Sequence, residues 1–216
     1  MTGDDSSARD LLVEGLAELD LAVSADQLAA LFELTLLLAQ WSKRINLTGH
    51  KTASAIVRGL ILDAAALSSR LPEIDSLADI GSGAGFPGLP VAILRPGCRV
   101  TLVESRERRV HFQRQAIRQI GLENARAEHG RAEALVASPH AAAIAQAVAK
   151  PADALPLLLP WVAPGGWLFF PGSMPPPPIP QHDPRVRFEP VSSYRVPLGG
   201  AERALWCARK TFENAA

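Results

Sequence analysis

Leu77-Ala78-Asp79-Ile80-Gly81-Ser82-Gly83-Ala84-Gly85-Phe86-Pro87-Gly88 runs a short apolar stretch directly into a loop with glycine at every second position. The apolar stretch reads as a buried strand, and the loop as a sharp strand-to-helix turn where backbone meets a ligand. Glycine accepts the positive φ of such a turn and has no Cβ to hold a ligand away. The amide N–H groups that open the next helix then face the ligand's polar groups.

Two cofactor classes fit this loop. Gly83-Ala84-Gly85-Phe86-Pro87-Gly88 satisfies the dinucleotide pattern G-x-G-x-x-G, with Glu104 at about the distance of a ribose-binding acid. The first glycine after the strand is Gly81, however, and the register Gly81-x-Gly83-x-Gly85 behind Asp79 resembles motif I of class I S-adenosylmethionine (SAM) methyltransferases. Leu159 to Phe170, reading LPWVAPGGWLFF, resembles the turn that introduces the fifth strand of that superfamily. Two signals in the right order favour SAM over a nicotinamide or flavin dinucleotide.

The chain has 216 residues, enough to bury a substantial core without a staple. Lys plus Arg total 22 and Asp plus Glu total 22, so no global field advertises a nucleic-acid partner, and any RNA contact must come from local patches. Cys98 and Cys207 have neither the spacing of a zinc site nor the count of a disulfide framework, so no metal is expected and a reduced, cytoplasmic setting fits. The acidic, polar start at Met1 to Ser7 argues against a signal peptide, and no apolar run reaches membrane-spanning length. A monomer with no membrane partner is expected.

Residues from about Arg9 to Arg70 read as helical, with Ser24-Ala25-Asp26-Gln27 as a capping box and Leu31, Leu34, Leu38, Trp41 and Ile45 on one face. Another helix is predicted from about Ser54 to Ser69, stopping before Pro72. This gives a helical extension over 1–72 ahead of a core over 73–216. From Ser76 onward strands alternate with helices, which indicates a parallel sheet covered on both faces. Strands are predicted near Leu77 to Ile80, Val100 to Glu104, Ala125 to His129, Ile144 to Ala149 and Trp167 to Phe170. Pro171 to Pro184 reads as an extended surface loop, and Val186 to Tyr194 with Arg203 to Arg209 as a final pair.

Three segments narrow the resemblance. Trp41-Ser42-Lys43-Arg44-Ile45-Asn46-Leu47-Thr48, Asp79 to Pro90, and Val103 to Phe112 resemble, in order, the RsmG family, once called glucose-inhibited division protein B. The resemblance implies a class I SAM-methyltransferase (Rossmann-like) fold, a doubly wound α/β sheet behind a helical N-terminal extension. It also implies transfer of methyl from SAM to N7 of a guanine in the 530 loop of 16S rRNA, with the 30S subunit as partner. Three positions depart from the family's pattern. Gln146 stands where an arginine is expected, Pro171 where a lysine is common, and Leu60 where a histidine opens the "H-I-L-D-S" segment, here Leu60-Ile61-Leu62-Asp63-Ala64.

Guanine N7 offers an in-plane lone pair with no proton to remove, so alignment alone can carry the reaction and no general base is required. Gly81, Gly83, Gly85 and Phe86 would shape the cofactor loop, and Glu104 would accept the ribose hydroxyls. Asp79 would orient the loop or reach the methionine amino group. By the resemblance, Ala132 and Glu133 match adenine-end contacts and Gln146 a further cofactor position, while Arg131 and Gln146 are the candidates for a catalytic role. Each has a plainer reading: a tight turn, a solvated strand-end charge, an exposed helix start. For RNA the candidates are Lys43, Arg44, Lys51 and Arg58, then Arg106, Arg108, Arg109, Arg114 and Arg118; Trp41 sits on the apolar stripe, and Asn46 could contact RNA or cap its helix. The departures leave two other functions open: a diverged SAM binder without catalysis, and a methyltransferase for another substrate.

Overall fold

The computed structural model describes residues 3–146, 151–175 and 183–212. Four helical elements come first: α1 (Gly3–Glu18), α2 (Ala25–Ser42), α3 (Ala53–Ile56) and α4 (Leu62–Ser68). A π turn over Val57–Ile61 joins α3 to α4, so the helix expected from Ser54 to Ser69 is present but interrupted. The capping box forms as predicted. Gln27 N donates to Ser24 Oγ at 3.1 Å, and Ser24 N donates to Gln27 Oε1 at 2.9 Å. Leu31, Leu34 and Leu38 are fully buried, and Trp41 packs edge-on against Phe112 at 5.6 Å. Ile45 lies past the end of α2, where it packs from a loop.

The sheet then alternates with helices: β1 (Ser76–Ile80), α5 (Gly88–Leu94), β2 (Arg99–Glu104), α6 (Glu107–Ile120), β3 (Ala125–His129), β4 (His140–Ile144), α7 (Pro151–Leu158), β5 (Val162–Ser173), β6 (Val186–Phe188), β7 (Ser192–Arg195) and β8 (Glu202–Lys210). Its order is β3-β2-β1-β4-β5-β8-β6, with β7 also on β8. β1 to β5 run parallel and β8 returns antiparallel to β5.

Successive residues on each inner strand point to opposite faces, which is why these strands read as continuous apolar runs. Leu77, Val100, Leu102, Ala142, Ile144 and Phe169 join the cluster built by α1, α2, α4, α5 and α6. Ala78, Ile80, Val103, Ala143 and Leu168 join a smaller one with α7 and Trp161. The helical extension thus shares a core with the sheet, each fully buried Leu or Phe stabilising it by roughly 1.5–3 kcal/mol.

Three expectations are corrected. β4 covers His140–Ile144 and not Ile144 to Ala149; a run of alanines carries no amphipathic register, and the strand ends where Ala145 N donates to Phe169 O. Residues 147–150 lie outside the described residues. β5 continues through Pro171 to Ser173, because β8 pairs with it as far as Ser173↔Arg203. Beyond Phe169 β4 no longer pairs with β5, so Pro171 sits where the strand has one partner, a position that tolerates a missing N–H. The closing strand divides into β6 and β7, both on β8; residues 176–182 of the proline-rich segment lie outside the described residues.

Candidate functional site

The glycine loop joins β1 to α5 at the carboxyl edge of the parallel strands, where open α/β sheets bind ligands. Gly81, Gly83 and Gly85 have φ of 69°, 58° and 85°. The positive φ is needed at each, and at Gly85 a Cβ would also strike the Leu89 side chain. Gly81 N and Ser82 N both donate to Val103 O, at 2.8 and 3.1 Å, anchoring the loop to β2.

Two carboxylates bracket the loop. Asp79 is buried in β1; its Oδ2 accepts from Gly88 N at 2.8 Å, while its Oδ1 is buried without a partner among the described residues. Burial pushes this carboxyl up to about 7; the Gly88 N–H pulls the other way, and the nearby Glu104 charge adds to the rise. Glu104 ends β2, with its carboxylate held by the chain. Oε2 accepts from Gly83 N at 2.9 Å and from the Arg109 guanidinium at 3.4 Å, and Oε1 accepts from Arg106 N at 2.8 Å.

Sequence reading missed Gln113. From the middle of α6, fully buried, its Nε2 donates to Ser82 Oγ and to Gly83 O, each at 2.8 Å. A glutamine four residues after Arg109, on the helix that follows Glu104, was the available signal. Arg109 itself, expected among the RNA contacts, belongs to Glu104.

The other candidates divide. Phe86 is half-buried at the loop's end and packs on the core. Gly130 N donates to Glu104 O at 3.0 Å, which brings the end of β3 to the same edge. Beyond it Ala132 and Glu133 lie in a turn and not at a helix start; Glu133 and Arg131 are exposed and, among the described residues, form an ion pair only with each other, at 3.7 Å. β4 pairs with β1 as far as Asp79↔Ile144 and with β5 as far as Ile144↔Phe169, so Gln146 follows the end of β4 by two residues and Pro171 lies two residues past the last residue of β5 that pairs with it. Two of the three departures therefore lie just past the β4–β5 pairing, whereas Leu60 packs on the core from the π turn.

The site suits a cationic ligand with a ribose. An unpartnered buried carboxyl beneath the loop, at Asp79, opposes the pyrophosphate of a dinucleotide and would welcome an ammonium group. Among the described residues no cluster of His, Cys, Asp and Glu could hold a metal ion, and no helix is long and apolar enough to cross a membrane.

Helix packing brings the basic residues to this edge. Gln119 Nε2 donates to Glu33 Oε1 at 3.0 Å and Trp41 meets Phe112, so α2 and α6 run antiparallel. The end of α2, with Lys43 and Arg44 following it, thereby runs toward the start of α6, with Arg106 and Arg108. All four are exposed, and none has an acidic partner among the described residues. Arg114 instead donates to Ala127 O, Arg58 to Leu198 O, Arg118 to Gln115 and Lys51 to Asn46 Oδ1, while the C-cap of α2 is Lys43.

A family model for GidB, described as rRNA small subunit methyltransferase G, matches residues 27–206. The protein called ribosomal RNA small subunit methyltransferase G from Leptothrix cholodnii is 33% identical over 203 residues, covering 91% of this chain and 93% of the relative. Its namesake in Chromohalobacter salexigens is 34% identical over 197 residues, covering 91% and 94%. Among solved structures, M. jannaschii TYW2 in complex with AdoMet superposes with a TM-score of 0.58 over 79% of this chain and 80% of that one, at 12% identity. A mutant form of MtNAS gives 0.53 over 94% and 71%, at 17% identity. These structures speak to the fold, the Rossmann-like doubly wound sheet expected from the sequence.

Proposed function

The chain belongs to the GidB family of small-subunit rRNA methyltransferases, and from that premise we propose that it transfers a methyl group from SAM to N7 of a guanine in the 530 loop of 16S rRNA. It would act as a cytoplasmic monomer on the 30S subunit. The observation that carries this reading is the glycine loop bracketed by the unpartnered carboxyl of Asp79 and the braced carboxylate of Glu104.

SAM, when bound, supplies an activated methyl group on sulfur. The chain supplies position. Glu104, whose carboxylate accepts from Gly83 N and Arg106 N and more weakly, at 3.4 Å each, from Arg109 and Ser105 Oγ, would take the ribose hydroxyls in place of the two longer contacts. Asp79 Oδ1 offers an acceptor for the methionine ammonium, whose charge would favour the ionised carboxyl. Gln146, two residues past β4, would meet the incoming base, where it can hydrogen-bond a base edge without adding charge. Arg131, exposed and paired with Glu133, is the weaker of the two catalytic candidates. Lys43, Arg44, Arg106 and Arg108 would take phosphates, and an unpaired base can be splayed out and read on its edges.

The test is methyl transfer from labelled SAM to 30S subunits lacking the modification, with the labelled base mapped by N7-specific cleavage. Label at the 530-loop guanine is expected. A second reading, a SAM binder without this activity, rests on the neutral residues Gln146 and Pro171 just past the β4–β5 pairing; SAM binding with no label would favour it.

A further inference from the structure

A loop with three glycines has few side chains with which to hold itself, and its rigidity must come from outside. β2 supplies part of it through Val103 O and Glu104. The remainder comes from α6 through Gln113. The Gly83 carbonyl can only accept, which fixes the Gln113 amide with its nitrogen toward the loop; the same nitrogen reaches Ser82 Oγ. One buried side chain thus restrains two consecutive loop residues.

The restraint has a direction. In a planar trans peptide the carbonyl of one residue and the N–H of the next point opposite ways. With Gly83 O drawn toward Gln113, the Ala84 N–H is turned away from α6. Gly81, Ser82, Gly83, Gly85 and Phe86 all donate their N–H within the chain, whereas the Ala84 N–H has no acceptor among the described residues. It is the loop's one uncommitted donor among them, and α6 sets its orientation.

We propose that Gln113 is a positioning residue for the cofactor: by holding the Gly83 carbonyl it aims the Ala84 N–H at the carboxylate of the SAM methionine moiety. The inference rests on SAM being the cofactor. It concerns the amino-acid end of that molecule; Glu104, which would take the ribose, is held by Arg106 N and Arg109 as well as by Gly83 N, and so keeps its place without Gln113.

Gln113→Met keeps the side chain's length and volume and removes the donor. Calorimetry would measure the binding of SAM and of 5′-methylthioadenosine, which shares the nucleoside and thioether but lacks the amino-acid end. For Gln113→Met the dissociation constant for SAM is expected to rise about tenfold, and that for methylthioadenosine to stay within about twofold. In turnover, KM for SAM should rise by the same factor with kcat at saturating SAM little changed. Ser82→Ala, which removes one of the two acceptors at small cost in volume, should weaken SAM about threefold with the same selectivity. It serves alone should Gln113→Met fail to fold. Equal loss for both ligands, or no loss for either, overturns the proposal. A wild-type protein that binds methylthioadenosine and SAM equally overturns it as well, and one that binds neither removes the SAM reading on which it depends.

Discussion

Asp79 Oδ2 accepts a hydrogen bond from Gly88 N at 2.8 Å, joining the end of the first strand to the start of the helix across the cofactor loop. The bond closes the loop's ends but does not offset the burial of the carboxyl, which is pushed from the ordinary 3.8 to about 7. Between those values the folded chain keeps a proton at Asp79 that the unfolded chain has released. Folding then takes up a proton, so stability falls as pH rises through the window, by up to about 1.4 kcal/mol per pH unit, and is flat above it. Asp79→Asn should remove that slope between about pH 4 and 7. Urea unfolding of both proteins across this range would show it; parallel pH profiles would mean that Asp79 is ionised throughout.

Gly83 and Gly85 share positive φ but not surroundings. At Gly83 a Cβ would lie 3.7 Å from the nearest atom, on Arg109, so Gly83→Ala carries only the cost of the left-handed backbone, about 1 kcal/mol. At Gly85 the same methyl would collide with Leu89, and Gly85→Ala should destabilise by about 2–3 kcal/mol and abolish SAM binding. Thermal unfolding of the two variants side by side decides it, with equal losses counting against this geometry.

The contrast shows what sequence could and could not supply. The loop, both flanking strands and Glu104 were legible, because alternate glycines after an apolar run constrain backbone and cofactor together. The parallel sheet with helices on both faces followed from the strand and helix alternation, whereas its strand order came only with the structure. Gln113 was not legible: a glutamine within a basic helix looks solvated until the packing of α6 on the sheet buries it against the loop. Neither were the bounds of β4, since alanines fit either face of a sheet, nor the passage of β5 through Pro171, which depends on β4 having already ended.

The Asp63 of the helical extension was read only as part of a family segment, yet it ties that extension to the last strands. Tyr194 Oη donates to its Oδ1 at 3.0 Å, and Arg203 donates to Oδ2 from Nη2 and Nε at 2.9 and 3.1 Å. Asp63 is buried and the Arg203 side chain is 31% exposed, so the pair is only partly screened by solvent. Asp63→Ala should cost about 2–3 kcal/mol and Tyr194→Phe about 1 kcal/mol, measured by urea denaturation. A loss below about 0.5 kcal/mol for Asp63→Ala would show that this tie is dispensable.

Lys43 and Arg44 owe their place beside the cofactor edge to the antiparallel packing of α2 on α6. They lie outside the loop, so their removal separates RNA binding from SAM binding. Each phosphate deprived of its cation should reduce the steepness of log K against log salt by somewhat under one. For the double variant Lys43→Ala/Arg44→Ala, the affinity for 30S subunits should fall several-fold at low salt, and the salt slope should decrease by about one to two. SAM affinity should be unchanged, because neither side chain touches Glu104, Asp79 or the glycine loop. Arg106→Ala/Arg108→Ala at the facing helix start should act in the same direction. The two pairs should add in free energy if each takes its own phosphate. Salt titrations of 30S binding would test this, and an unchanged slope in both double variants would move the RNA path away from this edge.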